Sequence, residues 1–564
     1  MSANVPTIAT GAADRKTSPP FNWGPALAVA PLVALLFVAF VWPISSIVGT
    51  SFVDGGFTLE FYARALASSV YRQVFVNTLL IAGLVTIGTL VISYPFAYVM
   101  ATTPPAIVKI LAFVVLLPFW TSALVRTTAW IIVLQRNGIL NSLLTSSGLT
   151  DQPVAFLYNL QGVLVGMIHV LMPFMVFPLY AAFRAIEGSL VEAAEGLGAG
   201  ALRIFIRIIA PLSAPGVAAG TLIVFMSAIG YYITPSLMGG PRQTMIAQMI
   251  SYHMMERLDW GMASALALIL LVATIVIFAI FQRLFGFDRL YSGAGISGTT
   301  IEPAAGGRSP VRWATVAAAV AAAVFLIVPI LLVFPLSLSS SPFVEFPPDH
   351  YTFRWYVSLT QDPKWLRAFV SSLQVAAMVV VASLALGTAA AIGLSRLRSR
   401  LSGLLEAFFL TPMVVSPIVI AIGLYYFFAP LGMIGSRYGL AIGHALLAAP
   451  FVLISVRAVL RNFDENLELA ALGLGASWFT MFRRVMIPSI WPGVLGGGVF
   501  AFIVSFDDVV LALFLTNVHS RTLPKVIYEG IKHDIDPTIV AVAALLIVVS
   551  LLVLCVSLLL GRRR

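Results

Sequence analysis

Two adjacent carboxylates, Asp507 and Asp508, interrupt an otherwise apolar stretch at residues 491–515. Burying an unpaired carboxylate in such a stretch costs several kcal/mol, so acids there usually face a polar cavity or a partner. Neighbouring residues on a helix point about 100° apart, so we expect at most one of the two to face a pathway. The pair indicates contact with a cationic solute. The alternative is a structural ion pair or a gate hinge, in which one acid caps a helix or pairs with Lys525 or Arg521.

Aromatic side chains near the ends of apolar runs could surround an alkylammonium group by cation–π contact. The candidates are Phe119, Trp120, Tyr231 and Tyr232. Aromatic residues at this depth also serve as interface anchors or packing groups, which is the alternative interpretation. Three further acids, Glu256, Asp259 and Glu529, fall in predicted outer loops. They could contact a substrate or a delivery protein, or they could be ordinary solvated charges.

The sequence carries no pattern of residues for catalysis. A phosphate-binding Walker A loop needs Gly-Lys before Ser or Thr, and each of the five lysines follows Arg, Val, Pro or Ile. The six histidines form no metal-ligand pair, and we expect His169 and His444 to pack or bond within helices. We therefore predict that the chain is not an enzyme and has no catalytic residue, metal site or cofactor of its own.

The elements that position these residues are apolar helices. The chain is 60% hydrophobic and 10% charged, whereas about a quarter of the residues in soluble globular proteins are charged. Its apolar runs are long enough to cross a bilayer, so we expect an all-α polytopic membrane protein. The single cysteine, Cys555, excludes a disulfide within the chain. Twelve spans are predicted, at residues 26–49, 73–99, 107–134, 161–183, 213–237, 262–284, 314–337, 367–394, 404–428, 439–460, 491–515 and 538–560.

The positions of Lys and Arg set the expected orientation. A cytoplasmic N-terminus places 20 of the 33 basic residues in cytoplasmic segments, so both termini are expected in the cytoplasm. The scatter of these residues over short loops argues against nucleic-acid binding. Residues 1–25, with four prolines and no apolar core, are predicted to be a disordered cytoplasmic tail. Residues 286–312 are rich in Gly, Ser, Thr and Pro and are predicted to be a flexible cytoplasmic linker.

The sequence also repeats. Residues 190–211 return as residues 467–488, with Gly198 and Gly475 lying 277 positions apart. Further upstream the offset is 294, so the first half holds 17 extra residues, which we place around residues 135–159. Each half has six predicted spans, at 26–285 and 313–564, and a duplication of six spans keeps both copies in the same orientation. We therefore expect two parallel repeats related by a pseudo-two-fold axis along the membrane normal.

The repeated segment lies between the fourth and fifth predicted spans of each half, at 188–211 and 465–488. Glu192-Ala-Ala favours a helix, and Gly198 or Gly475 permits a turn with positive φ. An amphipathic stretch follows, and Pro211 or Pro488 marks entry into the next span. A helix-turn-helix of this form suits insertion into a cleft on a partner. A helix pair capping the bundle at the membrane interface is the alternative.

The segment resembles the cytoplasmic signature of the permease subunits of ABC importers. The first copy fits with Glu192, Ala193, Ala194, Gly198, Ile208 and Pro211. The second copy has Leu469 at the glutamate position, Glu468 one place early, and Val485 at the isoleucine position. In that family the loop is the coupling helix seated in the ATPase subunit. The resemblance thus implies coupling residues Glu192, Ala193, Ala194, Gly198, Arg207, Pro211, Glu468, Ala470, Ala471, Gly475, Arg484 and Pro488.

Other stretches are similar to spermidine/putrescine-type permease subunits, joined here in one chain. They include residues 118–126 and 171–180 in the first half and 505–510 and 523–528 in the second. The resemblance implies a bacterial inner-membrane location, two copies of an ABC ATPase holding ATP and Mg²⁺, and a periplasmic substrate-binding protein. The solute is expected to be polyamine-like; related permeases carry opines, amino-acid derivatives, phosphonates, thiamine or ferric iron. A secondary transporter and a membrane scaffold are the rival hypotheses.

Overall fold

In the computed structural model the described residues are 23–285, 310–341, 348, 350–397, 400–464, 466–533 and 537–562. Within them the regular secondary structure is helical, and β-pairing is limited to two isolated antiparallel bridges, Val53–Phe57 and Ser339–Tyr351. The two bridges occur at corresponding places, just after the first long helix of each half. This all-α architecture confirms the fold class expected from composition.

The first half begins with a helical rod and ends with a long helix. Its α-helices are α1 Trp23–Leu36, α2 Trp42–Ser51, α3 Glu60–Ala67, α4 Ser69–Thr102, α5 Pro105–Trp120, α6 Ala123–Leu134, α7 Ile139–Ser146, α8 Leu160–Arg184, α9 Gly188–Gly196, α10 Ala201–Ile204, α11 Ala210–Ile229, α12 Ile233–Met238, α13 Ile246–Met255 and α14 Trp260–Phe285. Single π-turns at Phe37–Val41 and Phe205–Ile209 join α1 to α2 and α10 to α11, and Pro241–Gln243 is a 3₁₀ turn.

The second half repeats this order. Its α-helices are α15 Pro310–Ser337, α16 Arg354–Gln361, α17 Pro363–Arg396, α18 Arg400–Val414, α19 Pro417–Phe428, α20 Arg437–Leu460, α21 Asn466–Gly473, α22 Trp478–Met481, α23 Ile487–Asp507, α24 Val510–Leu515, α25 Leu523–His533 and α26 Pro537–Arg562. A π-turn at Phe482–Met486 joins α22 to α23.

The helix boundaries reproduce the two sequence offsets. Helices α4 and α17 both have 34 residues and start 294 positions apart, as do α6 and α19. From α10 and α22 onward the starts differ by 277. The change of offset falls between the end of α6 and the start of α8, where only the first half has an extra helix, Ile139–Ser146. The 17 extra residues therefore lie where the sequence placed them.

Two predicted spans are bent helix pairs rather than single helices. Within the described residues, nine helices are long and apolar enough to cross a membrane, or up to eleven if each bent pair counts as one span. The predicted spans 107–134 and 404–428 correspond to these pairs, which bend by 90° and 97°. Pro118 and Pro412 lie inside the first helix of each pair, near its end, and proline removes a backbone donor there. The predicted span 538–560 corresponds to α26, of which the described side chains end at residue 552.

The fifth span of each half was also predicted with the wrong ends. The predicted spans 213–237 and 491–515 stop at Ile229 and Asp507, and a short helix follows each break. At the other end, helix Ala201–Ile229 runs through Pro211 without interruption. The π-turn just before Pro211 already leaves a backbone hydrogen bond unmade, so the missing proline N–H costs nothing more. Asp507 and Asp508 are thus at a helix break and not inside a span.

Each half lends its first helix to the other half. The α1–α2 rod packs on α17 and α19, and α15 packs on α4, α5 and α6. The contacts are close: a Cβ on Gly393 would lie 2.6 Å from Val29 Cγ2, and His169 Nε2 lies 3.1 Å from the Leu326 carbonyl oxygen. The buried apolar core is consequently continuous across the pseudo-two-fold axis.

The segments predicted to lack regular structure lie mostly outside the described residues. These are residues 1–22 of the tail and 286–309 of the linker. Helix α1 begins at Trp23, inside the predicted tail 1–25, and α15 begins at Pro310, inside the predicted linker 286–312.

Candidate functional site

A helix end of the second half meets a helix start of the first half. Asp507 ends α23 of the second half, and Ala123 begins α6 of the first half. Both carboxylate oxygens of Asp507 lie 3.2 Å from the Ala123 backbone nitrogen, whose N–H they accept. The Ser122 hydroxyl also hydrogen-bonds this carboxylate, and the charge of Arg126 interacts with it electrostatically. Because a helix start carries unpaired N–H groups and a partial positive charge, it stabilises an anion.

The pseudo-equivalent break contains a neutral contact. Ser416, the counterpart of Ser122 at offset 294, donates its hydroxyl to the Gly230 carbonyl oxygen at 3.1 Å. Gly230 is the counterpart of Asp507 at offset 277. A Cβ on Gly230 would lie 2.4 Å from Ser416 Oγ, so this close approach requires glycine. The same cross-half joint is therefore made twice, once with a charge and once without.

Arg126 is a buried cation beside the charged joint. Its exposed fraction is 5%, and its guanidinium makes only long hydrogen bonds, 3.4 Å to the Val170 carbonyl and 3.5 Å to the Ser122 carbonyl. No ion pair among the described residues includes it. It interacts electrostatically with Asp507 and Tyr231, so it is the nearby positive charge for the Asp507 carboxylate.

A small cavity opens onto Asp507. Its lining residues come from both halves and are Thr121, Ser122, Phe502, Ile503, Phe506, Asp507 and Leu546. Its volume of about 20 Å³ has room for about one water molecule. A solute of several heavy atoms does not fit in this cavity, so the joint between the halves is closed here.

Asp508, in contrast, contacts groups of its own half. Its Oδ1 accepts the Leu511 amide at 2.8 Å, which caps the short helix α24. The same oxygen lies 3.3 Å from Nε2 of buried His444, whose Nδ1 is 3.0 Å from Ser505 Oγ. The predicted helix cap is present, but the predicted partners Lys525 and Arg521 are wrong. Lys525 donates to the carbonyl oxygens of Leu513 and Thr516, and Arg521 lies 3.6 Å from Glu529.

Of the candidate aromatic residues, Tyr231 and Tyr232 lie in different surroundings. Tyr231 interacts with both Arg126 and Asp507. Tyr232 belongs to a buried hydroxyl network, 3.2 Å from Ser251 Oγ and 3.1 Å from the hydroxyl of Tyr528 in the other half. The side chains of Phe119 and Trp120 lie outside the described part of the structure.

Two of the three outer acids are engaged within the chain. Asp259 accepts the Met262 amide at 3.1 Å and lies 3.6 Å from Arg64 and 3.8 Å from His253. Burial lowers the pKa of His253, so the neutral form of its imidazole is favoured beside Asp259. Glu529 has Arg521 as its partner, and Glu256 is exposed.

The repeated loops have the predicted shape of helix, turn and helix. Gly198 and Gly475 have φ of +77° and +85°, the left-handed conformation that glycine adopts without strain. The leucine just before each glycine, Leu197 or Leu474, is 89% exposed in both loops. Each loop therefore holds an apolar side chain in solvent at the equivalent place.

The two loops differ in their acids. Glu192 is exposed and takes part in no hydrogen bond or ion pair of the described residues. Glu468 is bound to Arg396 of α17, with both carboxylate oxygens 2.7 Å from Nη2. The first loop therefore offers a free acid, whereas the acid of the second loop is held by its own bundle. Of the other predicted coupling residues, Ala193, Arg207, Pro211, Ala470, Arg484 and Pro488 are exposed, and Ala194 and Ala471 are partly buried.

Comparison with known proteins agrees with this duplicated architecture. Residues 89–287 and 383–564 match the family described as binding-protein-dependent transport system inner membrane component. These ranges cover more than half of the chain and contain one loop each. The chain belongs to this family. It is a multi-pass membrane protein and a transport component, with two permease units of the ABC importer class in one polypeptide.

The permease has relatives that match its two halves. The spermidine/putrescine transport system permease protein PotB of Escherichia coli (strain K12) is 34% identical over 263 residues, covering 45% of this chain and 95% of PotB. The spermidine/putrescine transport system permease protein PotC of the same strain is 32% identical over 239 residues, covering 42% of this chain and 90% of PotC. A crystal structure of a bacterial ABC transporter involved in the import of the acidic polysaccharide alginate is 20% identical, with a TM-score of 0.41, over 47% of this chain and 95% of that one.

Several residues of the permease site escaped the sequence analysis. Ser122 and Ser416 both follow a span proline by four positions, so aligning the repeats would have paired them. The bond from Ser416 to Gly230 had no signal in the sequence, because it joins residues 186 positions apart. His444 was expected to bond within the bundle, and it does, but its proximity to Asp508 depends on the break in α23.

Proposed function

We propose that this permease moves a small cationic solute, a polyamine such as spermidine or putrescine, into the cytoplasm. The observation that carries the proposal is the Asp507 carboxylate at the joint between the halves, in a cavity lined by both of them. Ionised residues at membrane depth are rare and usually mark a solute or ion pathway, and a carboxylate there attracts a cation. The similarity to PotB and PotC supports the same class of solute.

The free energy for transport comes from ATP hydrolysis on separate subunits. Two copies of an ABC ATPase bind ATP and Mg²⁺ and dock on the loops at 188–211 and 465–488, and this chain has no ATPase site. A periplasmic binding protein delivers the solute from the outer side. The permease lies in a bacterial inner membrane with both termini in the cytoplasm. Closure of the ATPase dimer then alternates access to the Asp507 cavity.

Uptake by the reconstituted complex tests this proposal. The permease, its ATPase and its binding protein are placed in proteoliposomes, and entry of radiolabelled spermidine is measured with ATP enclosed or omitted. We expect uptake only with ATP and with the binding protein present. Uptake by the permease alone, driven by an ion gradient, would instead establish a secondary transporter.

Competition distinguishes polyamines from other solutes of this importer class. Unlabelled spermidine, putrescine, an opine, an amino acid, thiamine, a phosphonate and ferric iron are added to the binding protein in turn, and displacement of labelled spermidine is measured. The binding protein has to select the class of solute that the permease carries, so we expect amines to displace the label and the phosphonate to leave it bound. Tight binding of the phosphonate instead would refute a cationic solute.

A further inference from the structure

Arg126 has no evident partner that the fold requires. It is buried, its two hydrogen bonds to carbonyl oxygens are long, and it forms no ion pair within 4.0 Å among the described residues. A buried guanidinium is costly unless it serves a charge nearby. The position therefore needs an explanation other than packing.

Helix geometry directs Arg126 toward the charged joint. Its side chain runs back toward the start of α6, since its Nε lies 3.5 Å from the Ser122 carbonyl oxygen. The Ala123 amide holds Asp507, and the Arg126 guanidinium interacts with the same carboxylate over a longer distance. The carboxylate is thus flanked by a helix start and by an arginine.

The other half shows that the fold does not require arginine here. The counterpart of Arg126 at offset 294 is Ile420, which is also buried, at 2% exposure. The counterpart of Asp507 is Gly230. The positive and negative charges are therefore present together in one joint and absent together from the other, which indicates that each exists for the other.

We propose that Arg126 is an internal cation that neutralises Asp507 while the pathway is closed and empty, and that the ammonium group of the solute competes with it. Arg126 is then a positioning and specificity-determining residue rather than a residue that binds the solute. This inference rests on the proposed function, because it takes the solute to be an amine.

The competition couples binding to opening. In the closed structure Asp507 joins the halves through the Ala123 amide, and the Arg126 charge favours that position of the carboxylate. An ammonium group that arrives in the cavity pairs with the carboxylate, which weakens its contact with the Ala123 amide. It also repels the guanidinium, which keeps its carbonyl contacts at Val170 and Ser122. A neutral or anionic solute cannot make this exchange, so it leaves the joint closed.

Replacing Arg126 by the residue of the other half tests the competition. Arg126→Ile in the full complex should assemble normally and lower the KM for spermidine by about tenfold, the scale of a charge–charge interaction without a hydrogen bond. Arg126→Lys, which keeps the charge, should stay near the wild-type value. In an Asp507→Asn background, Arg126→Ile should no longer lower the KM. An unchanged or raised KM in assembled Arg126→Ile, or equal effects in both backgrounds, would overturn the proposal.

A labelling measurement separates this inference from the identity of the solute. In a Cys555→Ser background, Thr121→Cys places a thiol in the cavity, and Val415→Cys places one at the equivalent neutral joint. Without any solute, Arg126→Ile should speed maleimide labelling at position 121 several-fold and leave position 415 unchanged. Equal rates at position 121 with and without Arg126 would refute the internal cation. If labelling responds but no amine is taken up, the proposed solute is wrong and the joint is still charge-controlled.

Discussion

Asp507 and Asp508 are neighbours in the chain, but substituting them removes different contacts. Asp507 faces the cavity and holds the first half through one amide, whereas Asp508 caps a helix within its own half. We expect Asp507→Asn to raise the KM for spermidine by about tenfold or more, because a neutral amide attracts an ammonium group far less than a carboxylate does. Uptake by the reconstituted complex measures the effect, and copurification with the ATPase shows that assembly survives.

Asp508→Asn is the matched control for that substitution. The Asn side-chain oxygen can still accept the Leu511 amide, so the cap of α24 remains and uptake should change little. Asp508→Ala removes the cap and should lower stability by about 1 kcal/mol, measured as a lower unfolding temperature. A larger loss of uptake in Asp508→Asn than in Asp507→Asn would exchange the roles assigned to the two acids.

At the scale of elements, the two loops test whether shape is needed for coupling. Proline fixes φ near −65°, which Gly198 cannot adopt without losing its turn, since its φ is +77°. Gly198→Pro should therefore uncouple ATP hydrolysis from uptake while the bundle stays folded. Gly200→Pro is the control, because Gly200 already has φ of −71°. Normal coupling in Gly198→Pro would argue against docking at this loop.

The acids of the loops give a second prediction at this scale. Glu192 is free, so Glu192→Gln should weaken binding of the ATPase, by roughly 1.5–3 kcal/mol if it meets a buried base. Glu468 is bound to Arg396, so Glu468→Gln should instead loosen α21 from α17. We expect that variant to keep its affinity for the ATPase and to lose coupling of hydrolysis to uptake. Two measurements distinguish these effects: the affinity, from titration with the ATPase, and the ratio of ATP hydrolysed to solute moved. Identical behaviour of the two variants would mean that the loops are equivalent.

The sequence predicted the long helices well and the breaks badly, for a physical reason. Apolar runs such as 69–102 exceed the length that a bilayer requires, so hydropathy alone identifies them. The breaks at residues 121–122, 230, 415–416 and 508 hold one or two small or polar residues between long apolar stretches, so hydropathy averaged over a window passes over them. They persist because the side chains of Asp507 and Ser416 satisfy backbone groups of the other half and Asp508 accepts an amide of the helix that follows it. Only the repeat itself, aligned residue by residue, pairs Ser122 with Ser416 in advance.

For the whole molecule, the exchange of first helices explains why two permease units can be one chain. Each half has its core covered by the other's first helix, so the halves are held together by packing as well as by the covalent link. The same exchange means that the first half without its partner would expose the face of α4 that α15 covers.

Separating the halves tests that dependence. Two chains, residues 1–297 and 298–564, expressed together should copurify and restore ATP-driven uptake, because their contacts across the pseudo-two-fold axis are extensive and apolar. Either chain expressed alone should be degraded, since its exposed polar joint and uncovered helix face have no partner in lipid. The control is residues 1–297 with the second chain lacking residues 310–337, which we expect to fail, because α15 is the helix that α4, α5 and α6 require. Stable accumulation of the first half alone would show that the exchanged helix is dispensable, and the two permease units would then be independent bodies joined by a tether.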